Sequence, residues 1–135
     1  MTPDQVSALK HFSALEFDHP NLVDNQAAVF LDQLREAYGS ELTLTSDART
    51  REENEAADGS PTSLHLLGRA FDIRYPGSEE GAWMLLRAFF LALGWKAPDI
   101  ERSIELELVH GPKDKHLHFG LFPITRPSRL IVAAD

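Results

Sequence analysis

The chain has 135 residues, a formal net charge of −8 and the apolar and charged content of an ordinary globular protein. A chain of this length is expected to form a single domain, residues 1–135, with a core of its own. The negative charge argues against a nucleic-acid partner, because phosphate binding requires clustered Lys and Arg side chains. The sequence contains no cysteine, which excludes disulfides and thiolate metal sites.

The sequence predicts neither a signal peptide nor a membrane span. The N-terminal residues MTPDQVSALKHF lack the basic and apolar regions of a signal peptide. The most apolar segment, AWMLLRAFFLALGW at 82–95, is too short to span a membrane and contains Arg87. The sequence therefore predicts a protein made in the cytoplasm with no membrane span, and we expect it to act as a monomer.

The first half of the chain predicts one helix, one strand and a loop. Apolar residues at helical spacing predict a helix from Leu22 to Tyr38, and Gly39 suits its C-cap. ELTLTSDA, at 41–48, alternates as a strand does. The polar residues 49–63 predict a long surface loop with at most a helical turn.

The second half predicts a strand, a helix and a hairpin. AFDIRY at 70–75 reads as a short strand, and a helix is predicted from Glu79 to Leu93. SIELELVH at 103–110 alternates cleanly, GPKDK at 111–115 predicts a turn, and HLHFGLF at 116–122 predicts the returning strand.

Helices and strands alternate irregularly along the chain, and at least one pair of strands is antiparallel. This order predicts an α+β fold, a small antiparallel sheet with helices packed on one face. The opposite face is then available for a functional site. The C-terminal residues 126–135 give no clear structural signal.

Two histidines and a carboxylate stand out as candidate metal ligands. His65 lies among leucines, and Asp72 lies between two large apolar residues in a predicted strand. His116 and His118 are two positions apart on a strand, so both side chains project from the same face. His65, Asp72 and one histidine of this pair would form a set of three nitrogen and oxygen ligands. Catalytic zinc sites have this form and keep a fourth position for water.

Each of these residues also has a purely structural interpretation. A single histidine in an apolar segment is more often a hydrogen-bonded core residue than a ligand, and His-x-His pairs occur by chance on exposed strands. A carboxylate in an apolar strand needs a partner, because burying an unpaired charge is costly. For Asp72 this partner is either a metal ion or an arginine. The candidate arginines are Arg49, Arg69 and Arg74.

The pattern SxHxxGxAxD at 63–72 resembles the first signature of the zinc D-Ala-D-Ala peptidases, the M15 family. That family forms one structural group with lysostaphin-type peptidases and the hedgehog signalling domain. HLH at 116–118 resembles the second signature of the group. HFSALEF at 11–17 and LTLTSDAR at 42–49 are similar to the N-terminal half of these domains, especially those of bacteriophages. The resemblance spans residues 11–121, nearly the whole chain.

The resemblance implies a Zn²⁺ cofactor and a role for each matching residue. His65, Asp72 and His118 would bind the zinc ion. His116 would lie beside the metal and act in catalysis rather than bind the metal itself.

The resemblance also implies two residues that contact the substrate. Arg49 would bind the substrate and stabilise its carbonyl as charge develops on the oxygen. Ser63 would contact the substrate, for example at a terminal carboxylate. The structural alternatives are a surface ion pair for Arg49 and a helix or turn cap for Ser63.

The sequence departs from the family pattern at two places. Many members have SGYR where this chain has SDAR at 46–49, and many carry a catalytic Glu or Asp where this chain has Lys115. The residue that transfers the proton is therefore left open. We rank His116 first, Asp114 second and Glu107 third. Each of the two acids has the alternative of being a solvated turn or strand residue.

The resemblance implies a zinc-dependent peptidase whose partner is the peptide stem of bacterial peptidoglycan. Family members include D-Ala-D-Ala carboxypeptidases and L-Ala-D-Glu endopeptidases of the endolysin type. One alternative is a catalytically inactive zinc domain that binds the cell-wall peptide, an idea that Lys115 supports. Another is a structural module of a phage particle without stoichiometric metal. A wall hydrolase without a signal peptide would reach its substrate through a phage lysis system or another export route.

Overall fold

The computed structural model describes residues 1–92, 104–110, 115–124, 126–127 and 129–133. These residues form the α-helices α1 (Pro3–Ser7), α2 (Asn25–Tyr38), α3 (Arg51–Ala56) and α4 (Glu79–Ala92). Short 3₁₀ helices lie at Ala14–Glu16, Pro20–Leu22 and Leu64–Leu67. The strands are β1 (Leu44–Ser46), β2 (Ala70–Ile73), β3 (Ile104–His110), β4 (Lys115–Leu121) and β5 (Arg129–Ala133).

The five strands form one sheet in the order β1-β2-β4-β3-β5. The first four strands in this order pair antiparallel with their neighbours, and β5 pairs parallel with β3. The predicted α+β fold is confirmed, as is the predicted hairpin of β3 and β4. The strand β5 was not predicted, because it pairs with β3, a strand distant in sequence.

The helix α2 has the caps that its sequence indicates. The Asp24 side chain accepts a hydrogen bond of 3.0 Å from the Ala27 N–H, so the helix begins three residues later than predicted. At the other end, Gly39 has a φ of 78°, a conformation that glycine adopts without strain. The helix α4 begins at Glu79 as predicted, whereas Leu93, its predicted end, lies outside the described residues.

One face of the sheet packs against α2 and α4 and forms the core. Its buried side chains are Phe71, Ile73, Leu106, Leu108, Leu117, Phe119 and Leu121, in one cluster with the apolar faces of the two helices. Successive side chains of a strand point to opposite faces. The other face therefore carries the polar residues of the same strands, which are Asp72, Glu105, Glu107, His116 and His118. The helices pack on one face of the sheet, as the sequence predicts.

Three predicted elements differ from the structure in extent. The strand predicted at 41–48 is limited to β1, and the strand predicted at 70–75 ends at Ile73. The predicted loop at 49–63 contains α3, which a capping box stabilises. The Glu53 N–H donates to the Thr50 side chain, and the Thr50 N–H donates to the Glu53 side chain. Most of the turn predicted at 111–115 lies outside the described residues, except Lys115, which begins β4.

Among the residues that the structure describes, no helix has both the length and the apolar character needed to cross a membrane.

Candidate metal centre

The side chains of His65, Asp72 and His118 meet on the polar face of the sheet. One ligand atom from each residue lies within 4.8 Å of the other two. Oδ1 of Asp72 is 3.3 Å from Nε2 of His65 and 3.0 Å from Nδ1 of His118. The structure thus brings together the three residues that the sequence suggests as zinc ligands.

A tight 3₁₀ turn fixes the position of His65. Oγ of Ser63 accepts a 3.2 Å hydrogen bond from the His65 N–H, so Ser63 has the capping role considered for it. Gly68 ends the turn with a φ of 67°, and a Cβ atom at this position would lie 2.0 Å from the Leu22 carbonyl oxygen. Only glycine fits this conformation and this close approach. The His65 carbonyl in turn accepts a 2.9 Å hydrogen bond from the Arg49 N–H.

The strand register brings Asp72 and His118 together. Strands β2 and β4 pair antiparallel, and Asp72 and His118 are direct partners in this pairing. Directly opposite residues on one face have Cβ atoms about 5 Å apart. The carboxylate and the imidazole therefore meet although they are 46 positions apart in sequence.

Each histidine of the centre has its second ring nitrogen held by an oxygen atom. Nδ1 of His65 lies 2.6 Å from the Asp47 carbonyl oxygen, and Nε2 of His118 lies 2.7 Å from Oε1 of Glu105. A ring nitrogen that donates to such an acceptor carries the proton of a neutral imidazole, which leaves the other nitrogen with a lone pair. Lone pairs of two nitrogens and one carboxylate oxygen then converge, and they require a shared proton or a cation. This donor set fits zinc, which binds histidine nitrogen and carboxylate oxygen.

The pKa shifts in the centre reflect these contacts. Burial raises the pKa of Asp72, but hydrogen bonds from His118 and His65 outweigh burial and hold the pKa well below its ordinary value. Burial lowers the pKa of His118, but hydrogen bonds and charge from Asp72 and Glu105 outweigh it and raise the pKa. A positive charge located between the carboxylates of Asp72 and Glu105 is therefore favoured.

Arg49 lies against the other oxygen of the Asp72 carboxylate. Its Nη2 atom is 3.2 Å from Oδ2 of Asp72, its Nε atom donates to Oγ of Ser46 at 3.1 Å, and its Nη1 atom is 3.5 Å from Oδ1 of Asn54. These contacts hold the guanidinium group next to the candidate metal ligands. Asp72 therefore has one of the partners considered from the sequence, an arginine, on one oxygen, and the two histidines on the other.

The other two candidate arginines have different partners. Arg69 forms an ion pair with Asp24 at 2.9 Å. The Arg74 side chain is exposed, and its backbone N–H donates to the Thr43 carbonyl.

His116 lies on the same face as the centre but outside the ligand set. Its side chain is 38% exposed, and its Nε2 lies 3.8 Å from Oε2 of Glu107. Glu107 is the direct strand partner of His118, so it lies on the site face as the sequence suggests. Asp114, the remaining candidate for proton transfer, lies outside the described residues.

Lys115 lies on the opposite face of the sheet from His116 and His118. It is the first residue of β4, and its Nζ lies 5.7 Å from the centre of the Tyr75 ring. Tyr75 packs against the core cluster. The Lys115 side chain therefore points away from the candidate metal centre.

Three residues of the site were not predicted as functional. Asp47 and Glu105 hold the outer nitrogens of the two histidines, and Arg129 forms ion pairs with Glu105 and Glu107 at 3.4 and 3.3 Å. Apolar and polar residues alternate in β3 and place Glu105 on the polar face. This alternation is the signal in the sequence that could have identified Glu105. The contact of Asp47 is made by its backbone, which no residue pattern indicates.

Two clefts are lined by residues that contact the candidate ligands. One, of about 610 Å³, is lined by Arg49 and Ser63 among others, and another, of about 370 Å³, is lined by Ser63, Glu105 and Arg129 among others. Both clefts share Thr62 and Ser63. Ser63 is thus accessible from two sides.

Comparison with known proteins identifies the family. No curated protein matches the chain. A family model described as Peptidase M15 matches residues 7–90, which is more than half of the chain. The matched range includes Arg49, Ser63, His65 and Asp72, whereas His118 lies beyond it and reaches the site through the pairing of β2 with β4. The chain therefore belongs to the peptidase M15 family and is a peptidase of that type.

Proposed function

We propose that the chain is a zinc-dependent peptidase that hydrolyses the peptide stems of bacterial peptidoglycan. The observation that carries this proposal is the convergence of His65 Nε2, Asp72 Oδ1 and His118 Nδ1 on the polar face of the sheet. These three residues would hold the ion. When bound, zinc supplies Lewis acidity, which polarises the scissile carbonyl and activates an attacking water.

Arg49 stabilises the negative charge that develops on the substrate carbonyl oxygen. Its guanidinium group is fixed by contacts with Ser46, Asn54 and Asp72, so it needs little reorganisation during the reaction. Its side chain is 18% exposed, which limits screening by water. This role agrees with the place of Arg49 in the wall of the larger cleft.

His116 transfers the proton to the leaving amine. It is the most accessible histidine on the site face, and Glu107 lies at ion-pair distance from its Nε2. A proton accepted at one ring nitrogen can then be passed to the amine as it departs. Asp114 is the second choice for this step, and Glu107 is the third.

The clefts support an endopeptidase over a carboxypeptidase. A carboxypeptidase needs a pocket closed around the terminal carboxylate, whereas an endopeptidase needs a groove that continues on both sides of the scissile bond. Two clefts that share Thr62 and Ser63 as lining residues agree with a groove of the second kind. Cleavage between L-Ala and D-Glu of the stem is therefore the favoured reaction.

The test is incubation of the zinc-loaded protein with purified muropeptides, followed by mass spectrometry of the products. We expect a product from cleavage between L-Ala and D-Glu; loss of a single alanine would instead identify a carboxypeptidase. His116→Ala should keep zinc and lose about 10²-fold or more of the rate, as expected for loss of a proton-transfer group. His11→Ala is the control, because His11 contacts Glu36 on α2 and should leave the rate unchanged.

One specific observation favours a second candidate, a zinc domain that binds the stem peptide without cleaving it. Position 115, where many family members have a catalytic acid, holds a lysine that faces Tyr75. Stoichiometric zinc together with binding but no cleavage of any stem peptide would establish this alternative. Loss of zinc from His116→Ala would instead show that the division of roles between the two histidines is wrong.

A further inference from the structure

Glu105 contacts the ring of His118 on the side away from Asp72. Oε1 of Glu105 lies 2.7 Å from Nε2 of His118, whereas Nδ1 of the same ring lies 3.0 Å from Oδ1 of Asp72. The side chains of Glu105 and His118 are 17% and 13% exposed, respectively. A charge-assisted hydrogen bond of this length, largely shielded from water, is stronger than a neutral one.

The strand register explains how Glu105 reaches His118. In the pairing of β3 with β4, Glu105 is opposite Gly120 and Glu107 is opposite His118. Glu105 therefore lies diagonally across from His118, a separation that a long side chain can span. Because residue 120 is a glycine, no side chain lies directly opposite Glu105 on this face.

Arg129 holds the carboxylate of Glu105 from the other side. Arg129 is the partner of Glu105 in the pairing of β3 with β5, and its Nη1 atom is 3.4 Å from Oε2 of Glu105. Its Nη2 atom is 3.3 Å from Oε1 of Glu107. One oxygen of Glu105 thus contacts Arg129, which leaves the other oxygen directed at Nε2 of His118.

We propose that Glu105 is a positioning residue for His118, which it orients and keeps protonated at Nε2 so that Nδ1 is presented to the metal. This inference rests on the zinc site of the proposed function. Carboxylates in this outer position fix the tautomer and the ring orientation of histidine ligands, and their loss typically lowers metal affinity by about 10- to 100-fold. Arg129 supports Glu105, and His65 has the corresponding contact with a backbone carbonyl instead.

The test compares zinc affinities by competition with a chromophoric chelator. Glu105→Gln should weaken zinc binding by about 10-fold, since its amide oxygen still accepts a hydrogen bond, and Glu105→Leu by about 100-fold. Glu53→Gln is the matched control, because Glu53 makes the same kind of contact, 2.8 Å to Nε2 of His19, away from the centre. Unchanged affinity in both Glu105 variants would overturn the proposal.

A second control separates positioning from simple loss of negative charge. Glu107 lies on the same strand and face, but its carboxylate contacts His116 and Arg129 rather than the ring of His118. Glu107→Gln should therefore weaken zinc binding much less than Glu105→Gln does. An equal loss in the two variants would show that charge alone acts and would contradict the positioning role.

The third readout is the proton on His118, observed in long-range ¹H–¹⁵N spectra of the zinc-loaded protein. The wild type should show His118 protonated at Nε2 with a proton that exchanges slowly with water, and Glu105→Leu should show faster exchange. The same His118 signal in both proteins would overturn the proposal. If the wild type itself binds no zinc, the proposed function fails, an outcome distinct from tight zinc binding by the Glu105 variants.

Discussion

At the scale of single residues, the centre shows how a carboxylate is kept ionised in an apolar strand. Asp72 lies between Phe71 and Ile73, both fully buried, yet its pKa is held below its ordinary value because His118 and His65 contact one carboxylate oxygen and outweigh the effect of burial. Arg49 contacts the other oxygen. Loss of one partner would leave an uncompensated charge, which is costly in a site of this kind. Removal of any one of these partners should therefore destabilise the ionised carboxylate of Asp72.

Asp47 shows the opposite behaviour and gives a prediction for pH dependence. Its side chain is 1% exposed, its Oδ1 has no hydrogen-bond partner among the described residues, and burial raises its pKa above the ordinary 3.8. The folded state therefore holds the proton more tightly than the unfolded state, so Asp47 costs stability as the pH rises from about 4 through its folded pKa.

Asp47→Asn removes this ionisation and keeps an oxygen that accepts from the Asp18 N–H. The free energy of unfolding of this variant, relative to wild type, should therefore increase between about pH 4 and pH 7. Urea unfolding across this range measures the trend. A difference between the two proteins that is independent of pH would mean that Asp47 has no raised pKa in the folded state.

The sequence indicated the three candidate ligands but not the residues that orient them. His65 and Asp72 are visible because polar residues in apolar segments violate the local pattern, whereas His118 was chosen over His116 through the family resemblance. The contacts of Asp47 and Glu105 depend instead on strand register and on a backbone carbonyl. Asp47 and His65 are 18 positions apart in sequence, and Glu105 and His118 are 13 apart. Patterns of neighbouring residues do not predict contacts over such separations.

At the scale of elements, the centre is assembled from two strands and one turn. Strands β2 and β4 supply Asp72 and His118 through direct pairing, and the 3₁₀ helix Leu64–Leu67 supplies His65. The strands are central in the sheet and therefore rigid, whereas the turn depends on Gly68. Gly68 is therefore the position in these elements at which one added methyl group should strongly reduce stability.

Gly68→Ala should destabilise the protein by about 3 kcal/mol or more. A left-handed alanine costs about 1 kcal/mol, and overlap of its Cβ with the Leu22 carbonyl adds about 2 kcal/mol. Gly39→Ala is the matched control, since Gly39 has a φ of 78° but no atom within 4 Å of the position that a Cβ would take, and it should cost only about 1 kcal/mol. Equal losses in urea unfolding would show that the close approach to Leu22 is not tight.

Elements with a strong local pattern were predicted well, and elements defined by distant partners were not. The helices α2 and α4 and the hairpin of β3 with β4 follow from apolar periodicity and turn residues. Strand β5 has no such signal, because its parallel pairing with β3 is set by the rest of the sheet. Strand β1 is shorter than predicted, and its pairing with β2 is irregular between Leu44 and Ser46.

At the scale of the whole molecule, the two faces of the sheet have different roles. The sheet face toward α2 and α4 is apolar and buried, and the opposite face carries the candidate centre. This division was predictable, because an antiparallel sheet alternates apolar and polar residues when helices cover one face. Ligand binding at the polar face can then stabilise the molecule without any change to its core.

Zinc should raise the stability of the whole molecule. An ion that binds only the folded state at about 100 times its Kd adds about 2.7 kcal/mol, which corresponds to a rise in Tm on the order of 10 °C for a chain of this size. Differential scanning calorimetry with zinc and with a chelator measures this shift. Magnesium is the control ion and should have little effect, because it prefers six oxygen ligands. A zinc-induced shift of the same size in Asp72→Ala would place the ion elsewhere.

The most direct test of the central claim is the zinc content of the purified chain after reconstitution and removal of free metal. The account predicts one zinc per chain for the wild type and for His116→Ala, and almost none for His65→Ala, Asp72→Ala and His118→Ala. A wild type without stoichiometric zinc, or full zinc content in the Asp72→Ala variant, would contradict the assignment of His65, Asp72 and His118 as the metal centre.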